Sequence, residues 1–127
     1  MAWNARYLPD EKIVLFGATG TMSSNDAAEQ TKEAARLIKE NETNFVLCDY
    51  SRVETEIPVV DLYSLPQLFL ELGLSRSMKA AMVVPETGHR YEDYVFFENR
   101  SRNEGFNVKL FNDVQTAKEW LAQKENA

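Results

Sequence analysis

At 127 residues the chain has the length of one domain, residues 1–127, and with 44% hydrophobic residues it can bury a single core. Its 14 Lys and Arg against 20 Asp and Glu give a formal net charge of -6, which opposes phosphate backbones and anionic membranes and so disfavours nucleic acid as a partner. The single cysteine, Cys48, excludes an internal disulfide and a cysteine metal cluster and suits the cytoplasm, and no stretch reads as an export signal or a membrane insertion segment.

Strand-like and helix-like periods alternate along the chain. "WNARYL" reads as a first strand, Pro9-Asp10-Glu11 as a turn and "KIVLFGAT" as a second strand, close enough for an antiparallel hairpin. Ser23, Ser24 and Asn25 then offer N-caps for a helix to about Glu40, with Ala27, Thr31, Ala34, Ala35 and Ile38 on one side. "NFVLCDY", "KAAMVVP" and "NVKLF" read as strands covered on both faces, separated by helical segments that close at Gly73 and Gly105. Asp113 caps a last amphipathic helix carrying Val114, Ala117, Trp120 and Leu121. The order β-β-α-β-α-β-α-β-α predicts an α/β domain with a mainly parallel sheet of about five strands, the first antiparallel, and about four helices.

One motif points toward dinucleotides. In "VLFGATGTMSS" a strand runs into Gly17-Ala18-Thr19-Gly20 before a helix, but Ser23 stands where a third glycine or alanine is needed, and Asp49 lies too far along for the usual ribose-binding acid. The glycines are expected to shape the end of the strand and its turn, and no cofactor is implied.

The order of elements and "FVLCDYSRVETEIPVVDLYSLPQL" resemble the STAS superfamily, which includes the anti-sigma-factor antagonists. In those proteins a strand passes through an Asp-x-Ser segment to a serine pair at the next helix start, where a kinase phosphorylates one serine. Asp49, Ser51 and Val53 match the first part, but Ile57, Pro58, Val59 and Val60 occupy the place of the pair, so the phosphoacceptor is missing. Ser51 is expected to make a turn bond to nearby backbone. A closer likeness, carried by "DLYSLPQLFLELGLSRSMKAAMVVPE" and "YEDYVFFENRSRNEGFNVKLFNDVQTAKEWL", is to the SpoIIAA-like branch, related in fold also to the CRAL-TRIO lipid-transfer domain. That resemblance implies a STAS-like fold and, on the lipid-transfer side, a small apolar ligand; it supplies no catalytic residues.

The same residues carry a mechanical reading. Pro58 suits a first helical turn, Ser64 with Gln67 forms a capping pair and Pro66 falls early in the segment that follows, which predicts a broken second crossover helix. Its Val59, Val60, Leu62, Leu65, Leu68, Phe69, Leu70 and Leu72 exceed one narrow apolar stripe, so it is deeply buried or turns part of its surface to a partner or ligand. His89 is the single histidine, and no nucleophile elbow or metal-ligand cluster accompanies it. Tyr91, Tyr94, Phe96 and Phe97, with Arg90, Arg100 and Arg102, read as a packed helix face with a charged back.

These observations describe a non-catalytic binding or regulatory module, with a carrier or sensor of a small apolar or lipid-like ligand as the alternative and an enzyme third. Its partner is expected to be a protein, including a second copy in a homodimer, or an apolar ligand. In open α/β sheets ligands gather at the carboxyl ends of the strands, here the turns at Ser23 and Ser24, Asp49 to Glu54, and Glu86 to Arg90. Asp49, Ser51, Arg52, His89 and Arg90 are the candidate binding residues of that rim. Arg52 and Arg90 are expected to anchor an anionic or polar group while the neighbouring helix covers an apolar part.

Overall fold

The computed structural model describes residues 1–85 and 90–123. Five strands form one sheet: β1 (Ala2–Leu8), β2 (Ile13–Met22), β3 (Phe45–Thr55), β4 (Lys79–Val83) and β5 (Asn107–Phe111). They lie side by side in chain order, β1 antiparallel to β2 and every later pair parallel. The helices are α1 (Ser24–Asn41), α2 (Val59–Glu71), α3 (Tyr91–Asn103) and α4 (Val114–Ala122).

This strand order decides where the helices go. Each parallel step from β2 to β5 moves one place in the same direction, so right-handed crossovers put α1, α2 and α3 on one face. Their buried residues, among them Ala27, Ile38, Leu62, Phe69, Tyr94 and Phe97, join Val14, Phe16, Val46 and Tyr50 of that face in one core cluster. Only α4, which follows the last strand, packs on the other face, where Ala117 and Leu121 meet Ile13, Leu47, Ala81 and Val83. The two faces are therefore unequally covered. Strand alternation assigns each residue to one of them: the rows Val14, Val46, Ala80, Val108 and Phe16, Cys48, Met82, Leu110 run across the sheet toward the three helices.

Local chemistry explains most element ends. Ser23 caps α1 in a reciprocal box, its hydroxyl accepting from the Asp26 N–H while the Asp26 carboxylate accepts from the Ser23 N–H at 2.9 Å. Asp113 caps α4 by accepting from the Thr116 N–H at 2.8 Å. Gly73 and Gly105, just beyond α2 and α3, take φ of 73° and 91°, the left-handed geometry that ends a helix cheaply only at glycine. All three features agree with the sequence reading.

Three local expectations are corrected. The second crossover is one continuous helix, not a broken one: Pro66 lies inside α2 as one of the fully buried side chains, so packing of its ring offsets the hydrogen bond it cannot donate. Ser64 accordingly caps nothing; its hydroxyl donates back to the Val60 carbonyl at 3.0 Å in mid-helix. Residues 49–54 are strand rather than turn. Beyond a bulge between Gly17 and Thr19, β2 and β3 keep pairing as far as Met22 with Thr55, and burial of Val53 and Thr55 holds that extension in place. Gly17 and Gly20 thus sit within β2 and not in a turn at a helix N-terminus, with the Met1 Cα 3.4 Å from where a Cβ of Gly20 would be.

Candidate functional site

The helical layer does not close completely on the sheet. The α2 backbone lies closer to α1 and α3 than to the strands, which only its inward side chains reach, so it roofs the space between those two helices. Beneath it lies a cavity of about 100 Å³. Its floor is the row Val46, Ala80, Val108 with Phe16, Cys48 and Met82, and its roof is Leu62, Leu65 and Phe69 of α2. The smallest member of the floor, Ala80, sits between two valines in register, which makes a dip in the sheet surface. An apolar void of this order is one that small hydrophobic molecules can enter; an engineered apolar cavity of about 150 Å³ takes up benzene.

Two residues mark the void independently. Ala80 and Cys48 lie on the inner strands beneath the helices, yet both keep partial exposure. Both line the cavity, and desolvation pushes the Cys48 thiol up to about 12.

One end of the cavity is polar and uncharged. The buried Tyr50 hydroxyl donates to Gln30 Oε1 at 2.5 Å, and the Cys48 thiol lies beside that hydroxyl. The Gln30 amide group, itself buried, directs its donors at two methionine sulfurs, Met1 Sδ at 3.4 Å and Met22 Sδ at 3.9 Å. Thioethers are weak acceptors. Tyr94 also lines the cavity; its buried hydroxyl has no hydrogen-bond partner among the described residues. Burial raises its pKa to about 12 and keeps it a neutral phenol.

Polar contacts hold α2 over the cavity at both ends. Ser24 Oγ donates to Asp61 Oδ2 at 2.6 Å, and Arg90 Nη2 donates to the Ile57 carbonyl at 3.0 Å just before the helix starts. At the far end Lys39 Nζ donates to the Leu72 carbonyl at 2.8 Å. The Arg100 guanidinium stacks 4.2 Å from the Tyr63 ring centroid on the outer side. Val59, Val60 and Tyr63 of that outer side are 52%, 69% and 55% exposed, so the excess of apolar residues in α2 divides between roof and surface.

The residues singled out at the rim fall in different places. Asp49, Ser51 and Arg52 do come together, lining an open groove with Trp3, Asn4, Gly17 and Thr19. Asp49 Oδ1 accepts from the Ser51 hydroxyl at 2.7 Å and from the Ser51 N–H at 3.2 Å, a side-chain contact within the strand rather than the turn bond to backbone expected for Ser51. Arg90 is engaged elsewhere: besides the Ile57 carbonyl it pairs with Asp93, whose residue lines the cavity. His89 lies outside the described residues. Among the described residues no group of His, Cys, Asp and Glu is arranged to hold a metal, and no helix is long and apolar enough to cross a membrane.

Gln30, Cys48, Ala80 and Tyr94 were not singled out as site residues from the sequence. Gln30 had a signal, a polar residue three positions after Ala27 within the apolar stripe of α1. In the sequence Tyr94 reads only as part of a packed aromatic face, which Phe97 and Tyr94 do form.

No family model matches the chain and no curated protein does. Among solved structures, an uncharacterized protein from the DUF3478 family with a SpoIIAA-like fold, from Shewanella loihica PV-4, is similar over 95% of this chain and 93% of its own. The TM-score is 0.54 and the sequence identity 20%. The chain has a SpoIIAA-like α/β fold: a five-stranded mixed sheet with four helices.

Proposed function

We propose that this protein is a non-catalytic binding module whose ligand is a small, mainly apolar molecule held between the sheet and α2. The observation that carries this reading is the cavity of about 100 Å³ beneath a helix whose backbone lies closer to its neighbouring helices than to the strands. Close packing is the rule in protein interiors, and a void this size forfeits both dispersion contacts and hydrophobic burial that a ligand would restore. The lipid-transfer side of the sequence resemblance points the same way. Native mass spectrometry of freshly purified protein should show a retained small molecule, and apolar compounds of about six to eight heavy atoms should raise the melting temperature; at a hundred times Kd the gain is about 2.7 kcal/mol. An empty protein that no such compound stabilises would refute the reading.

A second reading has its own observation. Val59, Val60 and Tyr63 present an exposed apolar edge on α2, which supports a regulatory role through a protein partner or a second copy. The groove of Asp49, Ser51 and Arg52 would then be a polar contact on the other side of the sheet. Light scattering after gel filtration, with Val60→Glu as the contrast, distinguishes a dimer through this edge from a monomer.

A further inference from the structure

We infer that the cavity selects an uncharged ligand bearing a hydrogen-bond acceptor, such as a ketone, ester or ether, and that the Tyr94 hydroxyl is the donor that recognises it. The inference rests on the cavity being a ligand site and adds the chemistry of the ligand. Tyr94 is 94% buried by its 6% exposure, lines the cavity and leaves its hydroxyl without a partner among the described residues. A buried hydroxyl in that state carries its full desolvation penalty, which an acceptor in the cavity removes.

The neighbouring groups favour an acceptor over a donor. The Gln30 amide hydrogens meet only thioether sulfurs, so two donors at this end lack a strong acceptor. The Gln30 carbonyl is already taken by Tyr50, and the Thr31 hydroxyl already donates to the Ala27 carbonyl at 2.8 Å. Charge selects against ions. Among the described residues Asp93 is the one carboxylate of the lining and is paired with Arg90, and the remaining polar lining groups are neutral amides, hydroxyls and a thiol. An ionic ligand would be desolvated there and would meet only the Arg90–Asp93 pair, whose charges already offset each other.

The test uses two probes of one shape, cyclohexanone and methylenecyclohexane, which differ in exchanging an acceptor oxygen for a CH₂ group. Dissociation constants are measured by NMR titration for the native protein and for Tyr94→Phe, which keeps the ring. The native protein should bind the ketone about tenfold more tightly than the alkene relative to their transfer from water, and Tyr94→Phe should bring that ratio near one. The carbonyl stretch of bound cyclohexanone should also lie at lower frequency in the native protein than in the variant. A ratio near one for the native protein after the same correction for transfer from water would overturn the acceptor preference while leaving the cavity as a site. A preference retained in Tyr94→Phe would overturn the role of Tyr94. Failure of both probes to bind would overturn the inference together with the proposed function.

Discussion

Filling the cavity from its floor should stabilise the protein, the opposite of what the same substitution does in a close-packed core. Ala80→Ile is the chosen change, because Ala80 is the small member of the row Val14, Val46, Ala80, Val108 and an isoleucine suits a strand. It adds three carbons beneath α2. At about 0.8 kcal/mol per buried methylene the transfer gain is about 2.4 kcal/mol. The cavity gives the same ceiling, since about 24 cal/mol per Å³ over a volume of about 100 Å³ is again near 2.4 kcal/mol. Loss of rotamer freedom and imperfect fit reduce this to an expected net gain of about 1 kcal/mol, a rise of about 3–6 °C in Tm. Urea denaturation at constant m-value and calorimetry would measure it. The same variant should no longer take up methylenecyclohexane. Destabilisation by about 1–3 kcal/mol, the ordinary result of overpacking, would refute the existence of usable space under α2.

Alkali should weaken the fold through its buried acids, Cys48, Tyr94 and Tyr50, the last also raised chiefly by desolvation. The Cys48 thiol is raised from 9.0 to about 12 and the Tyr94 phenol from 10.0 to about 12, both chiefly by desolvation. Each is therefore more protonated in the folded than in the unfolded chain at alkaline pH. The stability they confer is complete below about pH 9 and is lost as pH rises toward about 12, at up to about 1.4 kcal/mol per pH unit for each group. Urea midpoints at pH 8 and pH 10.5 test this, and unchanged midpoints would contradict it; Cys48 should also resist alkylation at pH 8 until the chain unfolds. Ser23→Ala removes one side of the α1 capping box and should cost about 1 kcal/mol by the same assay. Gly105→Ala should cost more than Gly73→Ala: both sit at positive φ, but a Cβ at Gly105 would come 2.9 Å from Arg76 Nε, whereas at Gly73 the nearest atom beyond the adjoining residues, Lys39 Nζ, is 3.8 Å away. Equal losses at the two glycines would show that backbone strain alone sets the effect.

Legibility in the sequence varied with the range of the interaction responsible. Gly73, Gly105, Ser23 and Asp113 announced the helix ends because capping and left-handed closure involve residues within one turn of each other. The continuous apolar runs around Leu47 and Ala81 announced inner strands because both sheet faces there are covered. Pro66 misled for the converse reason. Its local signal is to break a helix, and burial of its ring beneath the rest of the chain outweighs that signal. The strand extension from Ser51 to Thr55 was hidden likewise, since its polar residues read as turn until β2 offers a partner across the bulge.

By itself, the sequence determined the class of fold, the order of strands and helices and the antiparallel first strand, all of which follow from short-range periodicity and punctuation. Tertiary structure decided where a ligand could sit. The cavity exists because a one-directional strand order loads three helices onto one face and lifts α2 onto its neighbours, and because register sets Ala80 between Val46 and Val108. It also decided that Asp49, Ser51 and Arg52 share a groove while Arg90 braces the start of α2. No periodicity along the chain encodes those placements, since each joins residues from elements far apart in sequence through the packing of the whole sheet.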